Sequence, residues 1–134
     1  MKRFTVFGEP VEILISGEET GGASTTFTQA SPPGGGPPPH SHKNEHEMFY
    51  VLEGEYEFFL NGDRRKLALG DAIHASRGSL HTFRNIGTAD GKLLIVTVPG
   101  GFEKYLEEIS PLSIPQDMER LIDISTRYGI SFVI

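Results

Sequence analysis

Short apolar runs, interrupted again and again by turn residues, govern what this chain can become. Runs rich in Val, Ile, Leu, Phe and Tyr are separated by GEETGG at 17–22, SPPGGGPPP at 31–39, Asn61-Gly62, RGS at 77–79 and GTADG at 87–91. Such punctuation predicts an all-β sandwich or barrel. The clearest hairpin is EYEFFL, then Asn61-Gly62, then DRRKLAL, because Asn-Gly supplies the positive φ angles that a two-residue turn requires. Tyr56, Phe58 and Leu60 alternate onto one face of its first strand. KLLIVTV at 92–98 is apolar on both faces and predicts a central strand covered from both sides. Only afterwards does the period change. Phe102, Tyr105, Leu106 and Ile109 recur at helical spacing, and 116–128 reads as a second helix with Met118, Leu121, Ile122 and Ser125 on one face.

A length of 134 residues suits one domain, 1–134, with a barrel over about 4–100 and a helical segment over about 101–134. Hydrophobic residues at 37% and charged residues at 22% describe a chain that folds around a core. The net charge of −6 and a single basic run, Arg64-Arg65-Lys66, argue against nucleic acid or an anionic membrane as partner. That run reads as a solvated strand face. No apolar run approaches membrane-spanning length and no apolar stretch follows Lys2-Arg3, so the expectation is a cytoplasmic protein without signal peptide. With no cysteine, any metal must be held by nitrogen and oxygen.

The stretch GGGPPPHSHKNEHEMFYVLEG, 34–54, crowds metal-competent side chains at the mouth of an apolar strand. His40 and His42 stand two apart, so on extended backbone both imidazoles point to one side. The stiff segment before them, with no N–H at Pro37, Pro38 or Pro39, presents His40 at a fixed place. Glu47 opens the next strand and shares a face with Phe49 and Val51. A further donor, His81, lies in GDAIHASRGSLHTFRN after a turn at Gly78 and alternates with Phe83 and Asn85.

These two stretches resemble the paired motifs of the cupin superfamily, G-x5-H-x-H-x3–4-E-x6-G and G-x5-P-x-G-x2-H-x3-N. Gly34, His40, His42, Glu47 and Gly54 match the first; Gly70, Gly78, His81 and Asn85 match the second, with Ser76 where the family usually has proline. PPGGGPPPHSH at 32–42 with the PGGFEKYLEEIS tail at 99–110 resembles the small cupins often labelled quercetin dioxygenase-like. The resemblance implies a double-stranded β-helix, or jelly roll, with the ligands inside the barrel. It also implies one divalent transition metal per chain (Fe, Mn, Ni, Cu or Zn) on His40, His42, Glu47 and His81, with Glu47 also the catalytic proton acceptor.

Other polar residues have plainer readings. His46 should face away from Glu47 into solvent, His74 should be a hydrogen-bonded wall residue, and Arg77 and Arg84 are either surface residues or grips for an anionic substrate. Phe49, Val51, Tyr56, Phe58, Phe83 and Ile95 are core, some of them walls of a cavity. The expected function is a dioxygenase acting on a flavonol-like or other enolic aromatic. The alternatives are a metal-dependent isomerase, lyase or decarboxylase of a small hydroxy- or keto-acid, and a non-catalytic small-molecule binder. A homodimer is expected as well, because apolar two-faced strands and amphipathic C-terminal helices exceed what one small barrel covers.

Overall fold

The computed structural model describes residues 2–133. Turn chemistry sets the strand ends as the punctuation predicts. Between β6 (Tyr56–Leu60) and β7 (Asp63–Leu67), Asn61 and Gly62 take φ angles of 49° and 89°, the left-handed pair that matches the twist of a tight hairpin. Arg64, Arg65 and Lys66 lie exposed on β7, an edge strand, where charge discourages pairing with another chain.

Two antiparallel sheets form the barrel. The larger runs β1 (Lys2–Val6), β2 (Glu9–Ile15), β3 (Thr25–Ser31), β10 (Gly91–Val98), β5 (His46–Glu53), β8 (Ala72–Ala75). The smaller runs β11 (Ile130–Phe132), β4 (His40–His42), β9 (His81–Asn85), β6, β7. From β4 onward the chain steps back and forth between the sheets, which is the double-stranded β-helix expected. Every strand that crosses the barrel turns alternate residues inward, and Phe27, Phe49, Val51, Tyr56, Phe58 and Ile95 are all at most 2% exposed. Phe58 sits at the centre of their packing, with ring centroids 5.1 Å from Phe49 and 5.6 Å from Phe83. Fully burying a ring of this size stabilises the fold by about 2–3 kcal/mol.

Three features differ from the sequence expectations. Strand β10 is central in its sheet but covered on one side only: Leu93, Ile95 and Thr97 point inward, whereas Leu94 and Val96 are half-buried and Val98 is exposed. The helices do not lie over that outer face. α1 (Phe102–Ile109) closes the barrel end beside β1, and α2 (Met118–Arg127) packs on α1 and β11. In α2 the buried stripe is Leu121, Ile124 and Ser125, while Ile122 is 44% exposed. The hydrogen bond between Tyr105 Oη and Ser125 Oγ, 2.7 Å, sets the helix rotation and turns Ile122 outward. Finally, residues after Gly129 return to the barrel as β11, pairing Ile130 with His42 and Phe132 with His40. A three-residue strand is too short to show a period.

The position of α1 is fixed at its start. Glu103 accepts hydrogen bonds from the Gly17 amide and the Thr25 hydroxyl, each at 2.6 Å, and the Gly101 amide donates to Thr25 Oγ1 at 2.9 Å. Anchored there, the helix lays Phe102, Tyr105, Leu106 and Ile109 across the open end of the barrel.

Candidate metal centre

Strand register brings the histidines together. His40 and His81 are direct cross-strand partners on β4 and β9, and the period of two puts His42 on the inward side with His40. Two loops hold that register. The Gly34 amide donates to Asn85 O and the Asn85 amide to Gly35 O, so the glycine run before β4 is laced to the end of β9. Gly36 has φ 148°, and a Cβ there would meet Phe83 O at 1.9 Å, so the close approach of loop to strand needs glycine. The second loop is the turn containing Ser76. The Ser79 amide and hydroxyl both donate to Ser76 O, at 3.0 and 2.6 Å, and the Gly78 amide donates to His42 O at 2.8 Å. Those bonds supply the rigidity that proline would otherwise bring. Asn85, buried, closes a third turn by donating to Ser31 O and Ala89 O and accepting from the Gly87 amide.

Glu47 arrives from β5 in the other sheet. The ligand atoms of His40, His42, Glu47 and His81 all lie within 4.8 Å of one another. Each imidazole is oriented by its outer nitrogen: His40 Nδ1 bonds to Pro38 O at 2.9 Å, His42 Nδ1 to Glu45 Oε1 at 3.1 Å, and His81 Nδ1 to Ser79 O at 3.1 Å. With Nδ1–H donating outward, each Nε2 is the nitrogen left to face the centre. Nε2 of His42 is buried 2.6 Å from Glu47 Oε1 yet makes no directed hydrogen bond, whereas His81 Nε2 is hydrogen-bonded to the same oxygen at 3.1 Å. A buried imidazole nitrogen left without a directed partner beside a carboxylate oxygen is what a cation between them satisfies. The donor set, three imidazoles and one carboxylate, fits a divalent transition metal.

Without an ion the electrostatics are strained in a definite direction. Burial and the neighbouring His81 and His42 pull His40 down to about 4, against the opposing pull of Glu47. Burial pulls His42 down too, but the close Glu47 charge and the bond to Glu45 outweigh it and push His42 up to about 9. Burial raises Glu47, and the close charge of His42, helped by the bond to His81, more than reverses that and holds its carboxyl below the usual carboxylate range. A metal-free centre therefore keeps one proton between His42 and Glu47.

Three of the donors, His40, His42 and Glu47, open onto a cavity of about 50 Å³ walled by Phe27, Phe49, Phe83, Ile95, Phe102 and Leu106, among others. No lysine or arginine is among its lining residues. Arg77 and Arg84 are exposed and do not reach it. His74 is not a wall residue: the alternation of β8 buries Ile73 and Ala75 and leaves His74 on the outer face, stacked on His46 with centroids 5.7 Å apart. His46 faces outward as expected, but its Nδ1 accepts the Arg77 amide at 3.0 Å. Phe49, Phe83 and Ile95 line the cavity; Val51, Tyr56 and Phe58 pack beneath it.

Sequence reasoning passed over two carboxylates. Glu45, three residues after His42, reaches back across the KNEH turn to orient that imidazole, a spacing visible in the chain. Glu9, 4% exposed, accepts from Gln29 Nε2 at 2.9 Å and Ser31 Oγ at 2.8 Å. A carboxylate accepts only, so it fixes the Gln29 amide with nitrogen outward and carbonyl as the group left for the cavity that Gln29 lines. Nothing local in the sequence links residues 9 and 29.

A cupin domain model matches residues 27–97. The quercetin 2,3-dioxygenase of Bacillus subtilis (strain 168) is 31% identical over 70 residues, covering 52% of this chain and 20% of that protein. An oxalate-binding protein of Thermotoga maritima is 34% identical over 59 residues, 44% of this chain and 49% of that protein. The chain thus spans between a fifth and a half of the curated relatives it matches. The crystal structure of a predicted oxalate decarboxylase from Thermotoga maritima superposes with a TM-score of 0.64 at 29% identity, covering 73% of this chain and 90% of that one. The matched span runs from β3 to β10 and contains both histidine strands and Glu47, and on that ground the chain belongs to the cupin family.

Proposed function

We propose that this chain is a metal-dependent dioxygenase for a small enolic molecule with an apolar body. The observation that carries the reading is the pairing of a four-donor centre with a cavity wall that contains no lysine or arginine. A small hydroxy- or keto-acid would bring a carboxylate into surroundings where nothing but the metal answers its charge, which disfavours the isomerase, lyase or decarboxylase reading. An enol or phenol carries less charge and more apolar surface. The likeness of 70 residues of this chain to part of a quercetin 2,3-dioxygenase supports the same choice.

The residues present divide the work. His40, His42, His81 and Glu47 would hold the ion, which when bound supplies Lewis acidity and open coordination positions for substrate and oxygen. Both nearby imidazoles lean on Glu47 Oε1, so Oε2 is the oxygen free to accept the acidic hydroxyl proton of the substrate. Phe27, Phe49, Phe83 and Phe102 exclude water around the ionised substrate, which strengthens every charge interaction there. The test is oxygen uptake by metal-analysed protein with 3-hydroxy-4-pyranone and 3-hydroxyflavone, which share an enolic head. Consumption of oxygen with either supports the reading; none with any enolic compound, beside turnover of a hydroxy- or keto-acid, would replace it with the second class.

A further inference from the structure

The cavity at the candidate metal centre is small for a substrate with an aryl body. Its 50 Å³ hold roughly four waters, whereas small-molecule sites usually offer about 300 Å³ or more. Beyond one wall of it lies a second cavity of about 440 Å³, lined by Pro38, Leu112, Ile114, Met118 and Leu121 with no charged residue. Phe7 and Phe132 line both cavities, so these two rings are the partition between them. They meet edge to face with centroids 6.4 Å apart, and Phe132 also lies 5.7 Å from the His40 ring.

Two details tie the outer cavity to the centre. Pro38, in its wall, is the residue whose carbonyl orients His40. Phe7 sits in the β1–β2 turn at φ 53°, a left-handed conformation that disfavours a residue with a bulky side chain by about 1–2 kcal/mol. A turn of that shape ordinarily takes Asn or Gly. Here it carries an aromatic ring, and the ring stands between the two cavities.

We propose that the outer groove is the second half of the substrate site, seating an apolar, aryl-sized body while the enolic head passes between Phe7 and Phe132 to the metal chamber. This deepens the dioxygenase reading and rests on it for the identity of the head group. The groove itself needs only an uncharged, flat apolar occupant, which its uncharged lining matches.

The experiment separates body from head. Flavone has the aryl body without the enolic hydroxyl; 3-hydroxy-4-pyranone has the head without the aryl ring. Binding of flavone to the full chain is measured by equilibrium dialysis, and binding of the pyranone to the Zn2+-loaded chain by calorimetry. Ile114→Trp and Ser113→Trp, at exposed groove positions, fill the groove without touching a metal-centre residue. Wild type should bind flavone in the micromolar range, each variant should weaken it by about tenfold or more, and pyranone binding should not change. Failure of wild type to bind flavone, or undiminished binding by both variants, overturns the proposal. So does a shift of oligomeric mass in the variants with flavone binding intact, which would assign the groove to a second copy of the chain. Groove-dependent flavone binding without any oxygen uptake keeps the subsite and removes the dioxygenase.

Discussion

At the scale of single residues the centre depends on which nitrogen each imidazole turns inward. Glu45 acts on the centre only through His42, so Glu45→Ala should lower metal affinity by about 10- to 100-fold while the fold persists; unchanged affinity in a metal titration would remove its positioning role. Glu47→Gln keeps the size and one oxygen but loses charge and basicity. It should retain much of its metal and lose about a hundredfold or more in turnover, and full activity in a metal-replete variant would end the proton-acceptor assignment. Proton bookkeeping gives a third check. His42, pushed up to about 9, is protonated at neutral pH in the metal-free centre, whereas His40, pulled to about 4, is already neutral. Metal binding must release the His42 proton, so affinity should rise about tenfold per pH unit through neutrality and level off above pH 9. Calorimetry in buffers of different ionisation enthalpy reads that proton, and a buffer-independent heat would contradict it.

The elements matter because loops and helices hold the strands that carry the donors. Gly36→Ala would drive a Cβ into Phe83 O and strain the loop that presents His40, with an expected loss above about 2 kcal/mol in denaturant unfolding; a neutral result would mean that the loop shifts freely. Across the barrel end, burial raises Tyr105 to about 12 from 10.0, and its bond to Ser125 only partly offsets that. The folded state therefore prefers the neutral phenol. Its contribution is intact below pH 10 and is lost as pH climbs toward 12. Tyr105→Phe, which cannot ionise, should be less stable than wild type at pH 8 and lose that disadvantage by pH 12; a constant difference would show that Tyr105 does not titrate with unfolding.

For the molecule as a whole, the turn punctuation, the Asn61-Gly62 hairpin and the first helical stripe were all legible, because they depend on neighbours in sequence. The clustering of His40, His42 and Glu47 was half legible in the same way, since strand period aligns two of them. What stayed hidden is what tertiary packing decides: the outward face of Ile122, the three-residue β11, the Glu9–Gln29 pair, and the outer side of β10. That outer side leaves Met48 41%, Tyr50 38% and Val98 43% exposed on adjacent strands. We propose a homodimer that covers this face, and a monomeric mass in light scattering at micromolar concentration would contradict it. Among the described residues no helix is long and apolar enough to cross a membrane. The central claim is that His40, His42, Glu47 and His81 together bind a metal ion, and elemental analysis of wild type and His81→Ala, each dialysed against a divalent transition metal, tests it most directly. About one ion per chain in wild type and none in a still-folded His81→Ala protein is the predicted result; a wild type without metal, or a variant that keeps it, would contradict the account.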